Sequence, residues 1–119
     1  MKAQMKKVGD TIVVILDGKI DYETNAPLRE DLNRLVRQAK KDSVPKNIIF
    51  NFENLEFVGS SGISTFVQTL REINATAPIK PRYCNVGSEF RKVIEAFDEK
   101  ALFDFYDTEE RARKSFLDN

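Results

Sequence analysis

The chain has 119 residues, enough for one domain over residues 1–119, and its content of 41% hydrophobic and 32% charged residues is that of a globular protein. Lysine and arginine together number 19, and so do aspartate and glutamate, so the formal net charge is zero. This balance excludes the basic surface expected of a protein that binds nucleic acid or an anionic membrane, and it favours a protein partner.

Short runs with apolar residues predict four strands, and the first of these runs is nearly continuous and β-branched. They lie within residues 11–16, 47–52, 82–86 and 101–106. The N-terminal part, roughly residues 6–16, could add an antiparallel strand. Asp17-Gly18 is expected to turn the chain after the first run, because aspartate and glycine favour tight turns.

The first helix is predicted after the first strand. Thr24 or Asn25 offers an N-cap, because the side-chain oxygen can accept a hydrogen bond from an unpaired backbone N–H, and Pro27 is tolerated in the first turn. Lys40 and Lys41 lie at its end, where cations complement the helix dipole. Its core face is expected to carry Leu28, Leu32, Leu35, Val36 and Ala39.

Three further helices are predicted after the later strands. Apolar residues at helical spacing mark the second over residues 63–73, and Ser88 can cap the third. Asp107, with Glu110 three residues later, resembles a capping box at the start of the fourth. Strands and helices therefore alternate four times. This order predicts an α/β domain in which a mixed sheet of four to five strands packs with about four helices.

Residues that the sequence lacks exclude several kinds of site. There is no histidine, so neither a Ser-His-Asp triad nor a histidine metal site can be built. The single cysteine, Cys84, rules out an internal disulfide and a multi-cysteine zinc site, and its surroundings indicate a buried structural thiol. The glycine-rich phosphate loops of nucleotide-binding proteins are also missing. We therefore expect no enzyme, no cofactor and no metal, and a serine-dependent hydrolase is disfavoured.

The sequence contains no apolar stretch as long as a membrane span and no signal-peptide core at its N-terminus. We therefore expect a soluble, cytoplasmic protein without membrane insertion. A neutral surface and an edge strand are compatible with either a monomer or a weak homodimer.

The stretch NLEFVGSSGISTFVQTL, residues 54–70, joins a strand to a helix through Ser60, Ser61 and Gly62. Serine is a preferred N-cap, so these residues could simply start the helix. The loops after strands of an α/β sheet are also where such folds present functional groups, and a helix N-terminus favours anions. The motif by itself leaves both interpretations open.

A wider pattern resembles the anti-sigma factor antagonist branch of the STAS domains (sulfate transporter and anti-sigma factor antagonist). The resemblance rests on IVVILDGKID, the helix after it, NIIFNFENLEFV, the SSGIS turn and the late segment VGSEFRKVIEAF. Their order and spacing fit the family over about residues 8–117. The resemblance supports the same α/β fold and implies a regulatory protein-binding function.

In that family a DSSG-type turn carries a serine that a partner kinase phosphorylates. The resemblance implies that Ser60 is the phosphoacceptor, that Ser61 is a second hydroxyl and that Asp21, in GKID, is an acidic residue near the same surface. Gly59 stands where the family has its motif aspartate. The expected partner-binding residues are therefore Asp21, Gly59, Ser60, Ser61 and Gly62.

The resemblance further implies the partners. Without phosphate, the protein would bind an anti-sigma factor that is also a serine kinase, and so free a sigma factor; a phosphatase would reverse the modification. The kinase would supply ATP and magnesium. The alternative hypothesis is a STAS interaction module that is not phosphorylated and belongs to a larger signalling or transport assembly, and Gly59 favours it.

Overall fold

Strands laid side by side in chain order form one mixed sheet in the computed structural model, which describes residues 2–20, 22–41, 47–57, 61–77, 79–97 and 103–117. Within these ranges the five strands are β1 (Lys2–Val8), β2 (Thr11–Ile20), β3 (Asn47–Phe57), β4 (Arg82–Cys84) and β5 (Asp104–Tyr106). The first strand runs antiparallel to β2, and the other neighbours are parallel. The mixed sheet predicted from the sequence, with its added N-terminal strand, is confirmed.

The same ranges contain four helices, as predicted. They are α1 (Tyr22–Lys41), α2 (Ser61–Thr76), α3 (Ser88–Phe97) and α4 (Glu109–Leu117). The first three connect parallel neighbours, and each connection moves one strand further in the same direction. Because such crossovers are almost always right-handed, their helices belong on a single face of the sheet. The fourth has no later strand to reach and packs on the opposite face.

The larger core lies between the sheet and the first three helices. It contains the predicted apolar face of α1, with Leu28, Leu32, Leu35 and Val36 all buried, whereas the side chain of Ala39 lies outside the described residues. Aromatic rings from the central strands fill its middle: Phe50 stacks on Tyr83 with ring centroids 5.3 Å apart. Such pairs add to the stability that apolar burial provides.

The smaller core lies under α4. Val13, Ile49 and Cys84 from three neighbouring strands meet Ala112 of this helix, and all four side chains are fully buried. At the far end of α4 the guanidinium of Arg82 lies 4.2 Å from the ring centroid of Phe116, a cation–π contact. A nine-residue helix is too short to be stable alone in water, so these contacts hold α4 on the sheet.

The expected turn at Asp17-Gly18 is wrong, because β2 continues through both residues to Ile20. Gly18 has a φ of 117°, a conformation that side chains disfavour, yet it still pairs with Leu55 of β3. The register with β3 shifts between Ile15 and Asp17, and pairing resumes from Asp17, so the strand does not end there. In the same way β3 runs on from the predicted residues 47–52 to Phe57.

Two helix starts also differ from the prediction. Helix α1 already begins at Tyr22, so Thr24 and Asn25 lie inside the helix and Pro27 lies about one turn further in than expected. Helix α4 is capped by Thr108, whose Oγ1 accepts a hydrogen bond from the Arg111 backbone N–H at 3.2 Å. The predicted cap, Asp107, is therefore displaced by one residue.

The third helix also starts one residue away from its predicted cap. The Gly87 carbonyl accepts the first intrahelical hydrogen bond, from the Arg91 N–H at 2.8 Å, so Gly87 is the cap and Ser88 is the first helical residue. Glycine has no side-chain acceptor for the unpaired N–H groups of the first turn.

Removing one hydroxyl tests how the sheet is joined to α2. The Tyr83 hydroxyl donates a hydrogen bond to Asn74 Oδ1 at 2.7 Å, and its ring is fully buried. Tyr83→Phe keeps the stacked ring and removes the hydrogen bond, so we expect the free energy of unfolding to fall by about 1 kcal/mol. Urea denaturation measures this change. In a double-mutant cycle with Asn74→Ala the two losses should not add; full additivity would contradict the contact.

Candidate functional site

The predicted motif residues follow the carboxyl ends of two paired strands. Ile20 at the end of β2 lies opposite Phe57 at the end of β3, so both strands finish at the same edge of the sheet. Asp21 is the next residue after Ile20 in the sequence. Asp21, Gly59 and Ser60 themselves lie outside the described residues. The strands that carry the two halves of the predicted site are thus neighbours.

The second half of the motif begins α2. Ser61 and Gly62 are its first two residues, and Ser60 precedes the helix directly in the sequence. Of the four helices in the described ranges, α2 alone has no acidic side chain in its first turn. An acidic side chain there would partly neutralise the positive end of the helix dipole. The start of α2 therefore favours an anion that its own first turn does not provide.

A cleft lies between the first turns of α2 and α3 and has a volume of about 530 Å³. Ile63 of α2 forms one wall, and Phe90 and Val93 of α3 form the other; Gly87, Ser88 and Glu89 complete the lining. The ring of Phe90 lies 5.7 Å from that of Phe52 in the core, measured between centroids. The apolar wall is therefore backed by the core, and its polar residues lie on the exposed start of α3.

No residue of α3 is among the site residues predicted from the sequence. A signal was present, since Val58-Gly59-Ser60 directly before α2 is matched by Val86-Gly87-Ser88, whose serine is the first residue of α3. Each tripeptide stands in the sequence where a parallel strand is followed by a helix, and the carboxyl ends of parallel strands meet at one edge of a sheet. A Cβ added to Gly87 would meet no atom within 4 Å, so this junction is open to an approaching partner.

The thiol of Cys84 is buried in the smaller core, as predicted. Burial raises the pKa of the Cys84 thiol from 9.0 to about 12, and the negative charges of Glu109 and Glu53 add to the rise while Lys6 opposes it. At neutral pH the group is a protonated thiol. Since the thiolate is the nucleophile, Cys84 is not a reactive cysteine.

Within the described ranges no group of three or more cysteine, aspartate or glutamate side chains could hold a metal ion. Among the helices of the same part of the chain, none has both the length and the apolar character needed to cross a membrane.

The STAS domain family model matches residues 2–112, and the chain belongs to this family. The resemblance seen in the sequence and the α/β fold are thereby confirmed. A comparison with curated protein sequences gives no match.

Three solved structures illustrate the range of similar proteins. SpoIIAA, a cell fate determinant of Bacillus solved in its phosphorylated form, is 26% identical over 97% of this chain and 99% of its own, with a TM-score of 0.63. An anti-sigma factor antagonist from Mycobacterium paratuberculosis is 19% identical over 96% of this chain and 92% of its own, with a TM-score of 0.72.

The third is the murine anion transporter Slc26a9, which is 11% identical over 96% of this chain but only 19% of its own, with a TM-score of 0.71. At these lower identities the second and third structures show a shared fold and nothing more.

The reactivity of Cys84 tests its burial. Below pH 9 the rise in pKa from 9.0 to about 12 lowers the thiolate fraction about 10³-fold. We expect Ellman's reagent near pH 8 to modify the native protein at least about 100-fold more slowly than the denatured protein. Cys84→Ala, which has no thiol, is the blank. Equal rates in the native and denatured protein would contradict this account.

The same pKa shift predicts how stability depends on pH. The native state holds the thiol proton more tightly than the unfolded state, so the stabilisation is fully present below pH 9 and is lost as the pH rises towards 12. Other groups titrate in this range as well. We therefore expect wild type to lose more unfolding free energy than Cys84→Ala between pH 9 and 12, as measured by urea denaturation; parallel losses would refute the assignment.

Proposed function

We propose that the protein is an anti-sigma factor antagonist that works as a phosphorylation-regulated binding switch. Without phosphate it binds an anti-sigma factor that is also a serine kinase, and the sigma factor is released by competition. Phosphorylation of Ser60 ends this binding, and a phosphatase restores it. ATP and magnesium belong to the kinase, so the chain itself performs no catalysis and acts in the cytoplasm.

The observation that carries the proposal is the start of α2. Its first turn has no acidic side chain, and Ser60 is the residue that comes directly before it. A phosphate on this serine brings about −1.5 to −2 charges and three acceptor oxygens to the positive end of a helix. The negative charge stabilises the helix. Phosphorylation therefore changes the binding of the partner and leaves the fold intact.

The whole-length similarity supports the same proposal. SpoIIAA, the 26% identical structure, was solved in a phosphorylated form, and the alignment spans nearly all of both chains. A protein of this fold and length thus carries a phosphate without a second domain.

The surface that binds the partner is proposed to consist of the motif residues and the cleft beside them. The motif residues are Asp21, Gly59, Ser60, Ser61 and Gly62. The cleft contributes Ile63 and Phe90, whose apolar side chains can receive an apolar side chain of the partner. We call these seven residues the docking surface. A phosphate placed in it weakens binding, because it must be desolvated and is repelled by acidic groups of the partner.

A second candidate function keeps the fold and omits the phosphorylation. The chain would then be a constitutive interaction module of a larger signalling or transport assembly. Gly59 favours this candidate, because an acidic residue stands at that position in the switch proteins that the sequence resembles. The transporter Slc26a9 shows the same fold as one part of a longer chain.

Phosphate mapping distinguishes the two candidates. The purified chain is incubated with ATP and the serine kinase encoded by a neighbouring gene, and the phosphate is located by mass spectrometry. We expect modification at Ser60, its loss in Ser60→Ala and its retention in the matched control Ser61→Ala. If Ser60 is not modified, and if Ser60→Asp binds the kinase as wild type does, the switch is wrong and the constitutive module stands.

Charge at Ser60 is expected to act on binding through electrostatics. Ser60→Asp and Ser60→Asn differ by one charge and are about equally good N-caps. The aspartate variant should bind the kinase at least about tenfold more weakly than the asparagine variant at low salt, and the difference should shrink as the ionic strength rises. Isothermal titration calorimetry measures both affinities. Equal weakening by the two substitutions would mean that shape, not charge, controls binding.

The order of the same two variants should be reversed for stability: the aspartate variant, which binds more weakly, should be the more stable of the two. A negative charge at the start of α2 stabilises the helix dipole, so Ser60→Asp should exceed Ser60→Asn in unfolding free energy by about 0.3–1 kcal/mol at low salt. Urea denaturation of the isolated protein measures this difference. A less stable aspartate variant would contradict the electrostatic account of the start of α2.

A further inference from the structure

One wall of the cleft is tied to the opposite side of the sheet by polar side chains. Asn85 lies between β4 and α3, two residues before the cap Gly87, and has a φ of 55°. Asparagine tolerates this left-handed conformation better than most residues. Its side-chain Nδ2 donates a hydrogen bond to Asn51 Oδ1 of β3 at 3.2 Å. The start of α3 is thereby linked to the middle of the sheet.

Asn51 is the centre of this link and is only 6% exposed. Its Oδ1 accepts a second hydrogen bond from the Glu53 backbone N–H at 2.9 Å, and its Nδ2 donates to Glu109 Oε1 at 3.5 Å. A buried amide needs partners on both its oxygen and its nitrogen. Because one planar group makes these contacts, a rotation that improves one of them disturbs the others.

The link continues to the outside of the molecule. Glu109 lies in the first turn of α4, on the face of the sheet away from α1 to α3. Its Oε2 pairs with Lys6 Nζ of β1 at 3.1 Å, and the lysine side chain is 51% exposed. A series of polar contacts therefore runs from an exposed lysine on the edge strand, through α4 and Asn51, to the loop that starts α3.

We propose that Asn51 and Asn85 are positioning residues that couple the first turn of α3 to α4 and β1. A change at Glu109 or Lys6 then shifts the wall of the docking surface that Phe90 forms, although neither residue belongs to that surface. The coupling rests on these contacts alone. Its consequence for partner binding rests on the proposed function.

Hydrogen exchange followed by NMR tests the coupling without any partner, and a 13.7 kDa chain allows single amides to be resolved. The reporter is the Arg91 amide, which donates to the Gly87 carbonyl in the first turn of α3. We expect Asn85→Asp, which keeps a residue tolerant of positive φ and removes the donor, to raise its exchange rate about fivefold, the effect of one lost hydrogen bond. The amides of Leu70 and Ile73 in α2 are the reference and should change little.

A substitution far from the Arg91 reporter gives the decisive test of the coupling. Glu109→Ala, on the other face of the sheet, should raise the exchange of the Arg91 amide relative to the α2 reference by several-fold. Glu110→Ala is the matched control, because Glu110 is adjacent on α4 and its carboxylate pairs with the exposed Lys114, with Nζ and Oε1 3.2 Å apart. We expect the control to leave the Arg91 amide within about twofold of wild type.

The double mutant completes the test. If the residues act through one network, Glu109→Ala together with Asn85→Asp should raise exchange no further than Asn85→Asp alone. Should Glu109→Ala not fold, Lys6→Met replaces it. This substitution of an exposed residue removes only the outer ion pair, so it should raise the exchange rate of the Arg91 amide by a smaller factor. Additive effects, or equal effects of Glu109→Ala and Glu110→Ala, would overturn the coupling.

A binding measurement separates this inference from the proposed function. With the kinase that modifies Ser60, Glu109→Ala should weaken binding several-fold while the Ser60 phosphorylation site is unchanged. If exchange responds as expected and no kinase binds, the coupling stands and the proposed function is wrong. If the kinase binds and exchange does not respond, the coupling is wrong and the switch is unaffected.

Discussion

The pairing of β2 with β3 is the constraint on which the rest of the structure depends. Both strands are buried on both faces: Val13 and Val14 of one, and Ile49 and Phe50 of the other, are fully inaccessible. A slip of one residue would move every core side chain of a strand to the opposite face, so the register is strongly specified. The same register sets Ile20 opposite Phe57 and so joins the two halves of the candidate site at one edge.

The parallel direction of these strands also determines the electrostatic potential at that edge of the sheet. Helices α1, α2 and α3 each follow the carboxyl end of a parallel strand, so their positive ends share one side of the molecule. The first turns of α1 and α3 contain Glu23 and Glu89, whereas that of α2 contains no acidic side chain. The site is thus distinguished by local charge on a chain whose net charge is zero.

Sequence periodicity predicted which segments are strands and helices, but not where each of them ends. Asp17-Gly18 reads as a turn because both residues favour turns, yet the hydrogen bonds offered by β3 carry β2 past it to Ile20. Thr108 displaced Asp107 as the cap of α4 for a similar reason, since the packing of Ala112 against the sheet sets where that helix starts. Tertiary contacts decide such ends because competing local preferences differ by only a few tenths of a kcal/mol to about 1 kcal/mol.

Local chemistry alone determined the alternation of elements, the apolar faces that form the core, the absence of histidine chemistry and the serine motif before α2. Each of these depends on residue type and on spacing within one segment. The cleft between Ile63 and Phe90, and the polar contacts from Lys6 to Asn85, were decided only by the tertiary structure. Their residues are far apart in the sequence, and only the order of the strands and the faces on which the helices pack bring them together.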